Sequence, residues 1–146
     1  MSMNFDASEL ISLGSAASGA ASALKREMRI ASATALTEGV GLMQGFAPVD
    51  QGFLRGSIDI SEGPTASGGA FGTGIIYARI QDEGGTVTGN PWLVFQIAGR
   101  WVKVHSVTIP GSRYKQRTVA ALRPRVQRLY AEAVQRAMAV FGQAAD

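Results

Sequence analysis

Ala47-Pro48-Val49-Asp50-Gln51-Gly52-Phe53-Leu54-Arg55-Gly56-Ser57-Ile58, followed further on by Tyr77-Ala78-Arg79-Ile80-Gln81-Asp82-Glu83-Gly84-Gly85, decides how this chain is organised. The first stretch reads as a turn that delivers a strand. Pro48 fixes its own backbone, Asp50 and Gly52 supply turn chemistry, and Ile58 and Ile60 then alternate with polar Ser57, Asp59 and Ser61. The second is a short amphipathic segment whose polar end stops at two glycines. Neither holds a nucleophile with a base beside it or a set of metal ligands, so both read as architecture.

Upstream, residues 8–46 read as one long helix or two consecutive ones, with Leu24, Met28, Ala31, Ala35 and Leu42 near helical spacing. The first third is weak, because Gly14-Ser15-Ala16-Ala17-Ser18-Gly19-Ala20 has little apolar mass and two glycines, each costing about 1 kcal/mol relative to alanine. Residues 1–22 are therefore expected to be loosely ordered, and residues 23–146 to form the body of a single domain. Downstream, strands are expected at 56–62, 70–76, 92–98 and 101–109. A breaker-rich link at 63–69 joins the first pair as a mobile loop, and Ala98-Gly99-Arg100 closes the second pair into a hairpin. Leu93, Phe95 and Ile97 share one face of that hairpin, and one face of the sheet is expected to meet the helices. After Ile109-Pro110-Gly111 come a short helix over 112–122 and a longer one over 124–141, with Pro124 in its first turn and Val126, Leu129, Tyr130, Ala133, Ala137 and Phe141 as its stripe. The expected fold is α+β: a long N-terminal helix, a roughly four-stranded, mainly antiparallel sheet with an extended hairpin, and C-terminal helices packed on one face.

The order Pro-Val-Asp-x-Gly-x-Leu-Arg-x-Ser-Ile, strand, Tyr-Ala-x-x-x-acid-x-Gly and a late Ile-Pro leading into helices resembles the small head-tail joining and tail-completion proteins of long-tailed bacteriophages. The likeness spans residues 47–122. The chain departs from the family pattern at Gln51, where Thr or Ser is common, and at Glu83-Gly84-Gly85, where a Phe-Gly-Thr-like end is common. The resemblance implies a non-enzymatic virion structural protein of the phage neck or tail top, assembled in the host cytoplasm. It implies a self-associated ring, a hexamer by analogy with tails, touching neck, connector or tail-tube proteins and non-specific DNA in the lumen. Asp50, Leu54, Arg55 and Ser57 match the first family motif; Tyr77, Ala78, Asp82 or Glu83, and Gly84 match the second. Trp92, Trp101, Arg123 and Arg125 complete the expected subunit-contact set. Arg55 is expected to bond the acidic end of the second motif.

Composition sets the outer bounds. With 146 residues, 46% of them hydrophobic, the chain suffices for one packed core, and the absence of cysteine removes disulfides and thiolate metal sites. No apolar run reaches the roughly 18 residues of a membrane span, and residues 1–9 do not read as a secretory signal. Net charge is +3, but from residue 100 onward nine cations face two acids, whereas residues 1–99 hold five cations against nine acids. Such polarity steers unlike ends of neighbouring subunits together, presents a positive surface to an acidic partner, or solvates a basic helix.

The chemical readings are thin. The single histidine, His105, is expected to be a structural or exposed strand residue, and Asp82 and Glu83 are adjacent and so diverge on a helix. Gly72-Thr73-Gly74 lacks the Lys-Ser/Thr ending of a phosphate loop. No cofactor or metal is expected. Two rivals to the virion reading are a nucleic-acid-binding module built on the basic C-terminal third, which would bind through salt-sensitive phosphate contacts, and a small enzyme centred on His105.

Overall fold

The computed structural model describes residues 8–49 and 52–145. Its frame is a pair of long helices, α1 (Ser8–Phe46) and α4 (Tyr114–Ala145). At about 1.5 Å per residue they run roughly 58 Å and 48 Å. Glu27 meets Arg136, Ser32 meets Tyr130 and Glu38 meets Arg125, so the two are antiparallel. Their seam is made of small side chains, with Ala31, Ala35, Ala133 and Ala137 all buried, which lets the backbones approach closely. One polar pair is enclosed there: the Tyr130 hydroxyl donates to Ser32 Oγ at 2.6 Å, while the Ser32 proton goes back to the Met28 carbonyl at 3.0 Å. The stripe expected on α4 faces this seam.

Residues 8–22, part of the segment expected to be loose, continue α1, with mostly exposed side chains over 14–22; residues 1–7 lie outside the described part. The two expected C-terminal helices are one. Pro124 sits inside α4, where it forfeits a hydrogen bond and crowds the preceding turn, at about 3 kcal/mol. Buried Thr118 on one side and the Tyr130–Ala133 seam on the other keep the helix continuous through it.

Four further elements fill the middle of the chain: α2 (Phe53–Gly56), then β1 (Asp59–Thr65) and β2 (Gly68–Gly72), then α3 (Ala78–Glu83). The longer strands β3 (Gly84–Ile97) and β4 (Arg100–Pro110) follow. The strands make two separate antiparallel ribbons, β1-β2 and β3-β4, which corrects the four-stranded sheet. The physical reason is α3, which turns the chain between the ribbons and sends them to different surfaces.

The first ribbon lies on α1. Gly39 makes this fit, since a Cβ there would stand 2.5 Å from the Phe71 ring. This strand pair begins later than expected because residues 53–56 are helical, and the supposed mobile link at 63–69 is largely strand. Positive φ at Gly63 and Gly68 lets the ribbon kink and continue to a turn at Ala66-Ser67. The second ribbon does not lay a face on the long helices; it meets the body chiefly at α3, at its base. Its hairpin at Ala98-Gly99 is as expected, but β3 starts at Gly84, because Thr86, Val87 and Thr88 pair across to Thr108, Val107 and Ser106.

The core is where the two sequence motifs meet. Met43 and Ala47 at the end of α1, Leu54 and Ile58 from the first motif, Ala78 from the second and Tyr114 from α4 form one buried cluster, flanked by Val40, Phe46, Phe71 and Ile75.

Candidate functional site

The first motif closes around its own backbone. Gly52, at φ 79°, starts α2 with a left-handed turn, and the N–H of Gly56 returns to the Gly52 carbonyl at 2.8 Å. The Ser57 hydroxyl donates to the Leu54 carbonyl at 2.7 Å and accepts from the Thr73 hydroxyl at 2.6 Å, tying α2 to the chain leaving β2. Arg55 does not reach the acids of the second motif, contrary to expectation. Its Nη2 bonds the Ala47 carbonyl at 3.5 Å, and its buried Nε has no partner among the described residues. Asp50 lies outside the described residues.

The acids themselves are committed elsewhere. Glu83, at the surface, takes Arg79 one turn earlier at 2.9 Å, and that guanidinium holds its carboxyl below the usual range. Asp82 points the other way and is 5% exposed. Its Oδ1 accepts the Lys115 N–H at 2.9 Å, so a residue distant in sequence caps the N-terminus of α4. Around it, the Arg113 N–H bonds the Asp82 carbonyl at 2.9 Å, and the Ser112 N–H and hydroxyl both bond the Gln81 carbonyl. The Tyr114 hydroxyl donates to the Ala78 carbonyl at 3.2 Å. Burial, with Asp82 nearby, raises the Tyr114 phenol above its ordinary value. The end of α3 and the start of α4 thus satisfy each other's unpaired backbone groups. Gly84, at φ 80°, then lets β3 leave past Gly111, whose amide nitrogen would lie 2.6 Å from a Cβ at 84. Of the joint residues, Gln81, Ser112, Tyr114 and Thr118 were not singled out in the sequence; the one signal was Ser112 at the start of the short helix expected over 112–122.

What remains free is the arm formed by β3 and β4. Residues directly opposite in an antiparallel pair share a face. Near the base one face carries Thr86, Thr88, Ser106 and Thr108, and the other carries Val87 and Val107, half-buried on the α3 side. The register shifts between Thr88 and Leu93, where Gly89-Asn90-Pro91-Trp92 forms a bulge. Beyond it one face carries Leu93, Phe95, Ile97, Val102 and Val104 with Arg100 at the tip, and the other carries Trp92, Val94 and Trp101 among His105, Lys103 and Gln96, Trp101 being 73% exposed. Trp92 is set by its neighbours. It stacks on the His105 ring at 3.7 Å between centroids, and Lys103 Nζ lies 4.8 Å over it. His105 Nδ1 donates to the Pro91 carbonyl at 2.9 Å, which fixes the tautomer.

The remaining expected contact residues divide. Arg125 is spent on Glu38 at 3.3 Å, across the α1–α4 seam, whereas Arg123 is exposed. Among the described residues no group of three His, Asp or Glu could hold a metal ion, and no helix is long and apolar enough to cross a membrane. Comparison with protein-family models, with curated proteins and with solved structures gave no match.

Proposed function

We propose that this chain is a virion structural protein of a long-tailed bacteriophage. It assembles as a ring at the neck or tail top, completing the tail or joining head to tail. The observation that carries the reading is the division of the molecule. The residues of the two signature motifs are spent on the body, where Leu54, Ile58 and Ala78 are buried and Asp82 caps α4. The arm at 84–110 stands off that body with apolar side chains on both faces. An isolated two-stranded ribbon is marginal in water, so a ribbon of this kind needs another surface. In a ring the neighbouring subunit supplies it, and six copies is the order favoured by analogy with tails. The partners beyond the ring are neck, connector or tail-tube proteins. Contact with DNA in the lumen falls to exposed α4 cations such as Lys115, Arg123 and Arg128, and to Arg113 just ahead of the helix, and weakens as salt rises.

The test is localisation. Particles made with a C-terminally tagged copy are purified and imaged by electron microscopy after labelling the tag. Label at the head-tail junction or tail top supports the reading; particles that lack the chain overturn it.

A further inference from the structure

Among the described residues, the distal arm and an open depression on the body are exposed apolar surfaces that do not meet each other within the chain. Near the tip of the distal arm Trp101 is 73% exposed on one face and Ile97 57% exposed on the other. The depression, of about 440 Å³, is lined by Phe53, Gly74, Ile75, Ile76 and Tyr77. Ile76 is fully exposed and Phe53 is 65% exposed, a costly arrangement for two large apolar side chains lining one concavity. The arm carries Arg100 and Lys103 and no acid. Residues 53–79, which hold the first ribbon and the whole lining of the depression, carry Asp59 and Glu62, while their two cations are committed, Arg79 to Glu83 and Arg55 to the Ala47 carbonyl. Arg100, Lys103, Asp59 and Glu62 are all exposed, and none of them enters an ion pair among the described residues.

The arm does not fill the depression of its own chain. It is rooted at Gly84, immediately after α3, β4 alone runs roughly 35 Å, and no residue of 84–110 lines the depression. We propose that the depression receives the distal arm of a second copy of this chain, with Lys103, which shares the face of Trp92 and Trp101, set toward Asp59 and Glu62 of the receiving copy. The contact is head-to-tail, so every subunit gives one arm and takes one, and repetition closes a ring if the rotation per step divides a circle. Trp101, 73% exposed, and Trp92, 42% exposed, together leave about 200–300 Å² to bury. That is about a third of the roughly 800 Å² per partner typical of a stable interface, and the rest of the arm is long enough to provide the remainder. The inference rests on the self-assembly in the proposed function but not on where in the virion the ring sits.

The test uses two variants of the full chain, Trp101→Ser to disable the arm and Ile76→Ser to disable the depression. Both positions are exposed, and far-ultraviolet circular-dichroism spectra that overlay the parent's verify folding. The parent is expected to sediment as an oligomer and each variant alone as a monomer. An equimolar mixture is expected to form a 1:1 dimer that grows no further, because only one of its two contacts is intact. A variant that assembles like the parent, or a mixture that stays monomeric, overturns the docking assignment while leaving ring assembly through another surface standing. A parent that is monomeric at every concentration also overturns it, and the particle-labelling experiment then decides the virion role separately.

Discussion

Replacing Asp82 by alanine removes the acceptor that caps α4 and tests whether the second motif acts as a structural joint. The lost interaction is a hydrogen bond of 2.9 Å from the Lys115 N–H to a carboxylate that is 5% exposed. Hydrogen bonds to charged groups contribute about 1.5–3 kcal/mol, and loss of a helix cap costs about 0.5–2 kcal/mol. These describe the same contact from two sides, so the expected loss is about 2 kcal/mol. For a chain of this size that lowers the melting temperature by about 4–8 °C. Asp82→Asn keeps an oxygen facing Lys115 without the charge, and is expected to lose about half as much. Glu83→Ala is the control: its ion pair with Arg79 lies in open solvent, and its melt is expected to overlay the parent's. Far-ultraviolet circular dichroism of the three variants reads all of this. An Asp82→Ala protein that melts with the parent, or a Glu83→Ala protein that melts lower than it, refutes the joint.

Two more predictions rest on single contacts. Gly39→Ala gains about 1 kcal/mol of helix propensity but drives a methyl group to 2.5 Å from the Phe71 ring, so it is expected to be destabilising by about 1 kcal/mol net. In a Phe71→Leu background the same substitution is expected to lose that penalty, and a urea double-mutant cycle measures the difference. Tyr114 holds its proton more tightly folded than unfolded, so its contribution is complete below its unfolded value near pH 10 and is lost as pH rises through the folded value. Tyr114→Phe is therefore expected to be less stable than the parent by about 1 kcal/mol near neutrality. The gap should close above about pH 10; urea midpoints that stay equally far apart there refute the assignment.

The local pattern carried the helices well because helical side chains repeat at a fixed angle whatever surrounds them. Leu129, Tyr130, Ala133 and Ala137 could be placed on one stripe before any partner was known, and the Ala98-Gly99 hairpin followed from turn chemistry alone. Pro124 misled, since its cost is local while the contacts that overcome it come from α1, far away in sequence. The first half of β3, at 84–91, was missed for a related reason. Gly89 and Pro91 are breakers in isolation and become a bulge only when β4 lies alongside.

The candidate surface was half legible. Trp92 and Trp101 stood out as aromatics near a hairpin, but their freedom from the body was decided by α3, which points the second ribbon away from the long helices. Arg55 and Asp82 show the same limit from the other side. Sequence order places an arginine and an acid in two neighbouring motifs and invites a bond between them, whereas the fold gives the acid to the Lys115 N–H and the arginine to the Ala47 carbonyl. The sequence by itself determined periodicity, turns, the charge division and the architectural character of the two motifs, all of which depend on neighbours along the chain. Which groups pair across the chain, and which apolar surface is left over, was decided only by tertiary structure, because burial and hydrogen-bond partners are properties of proximity in space.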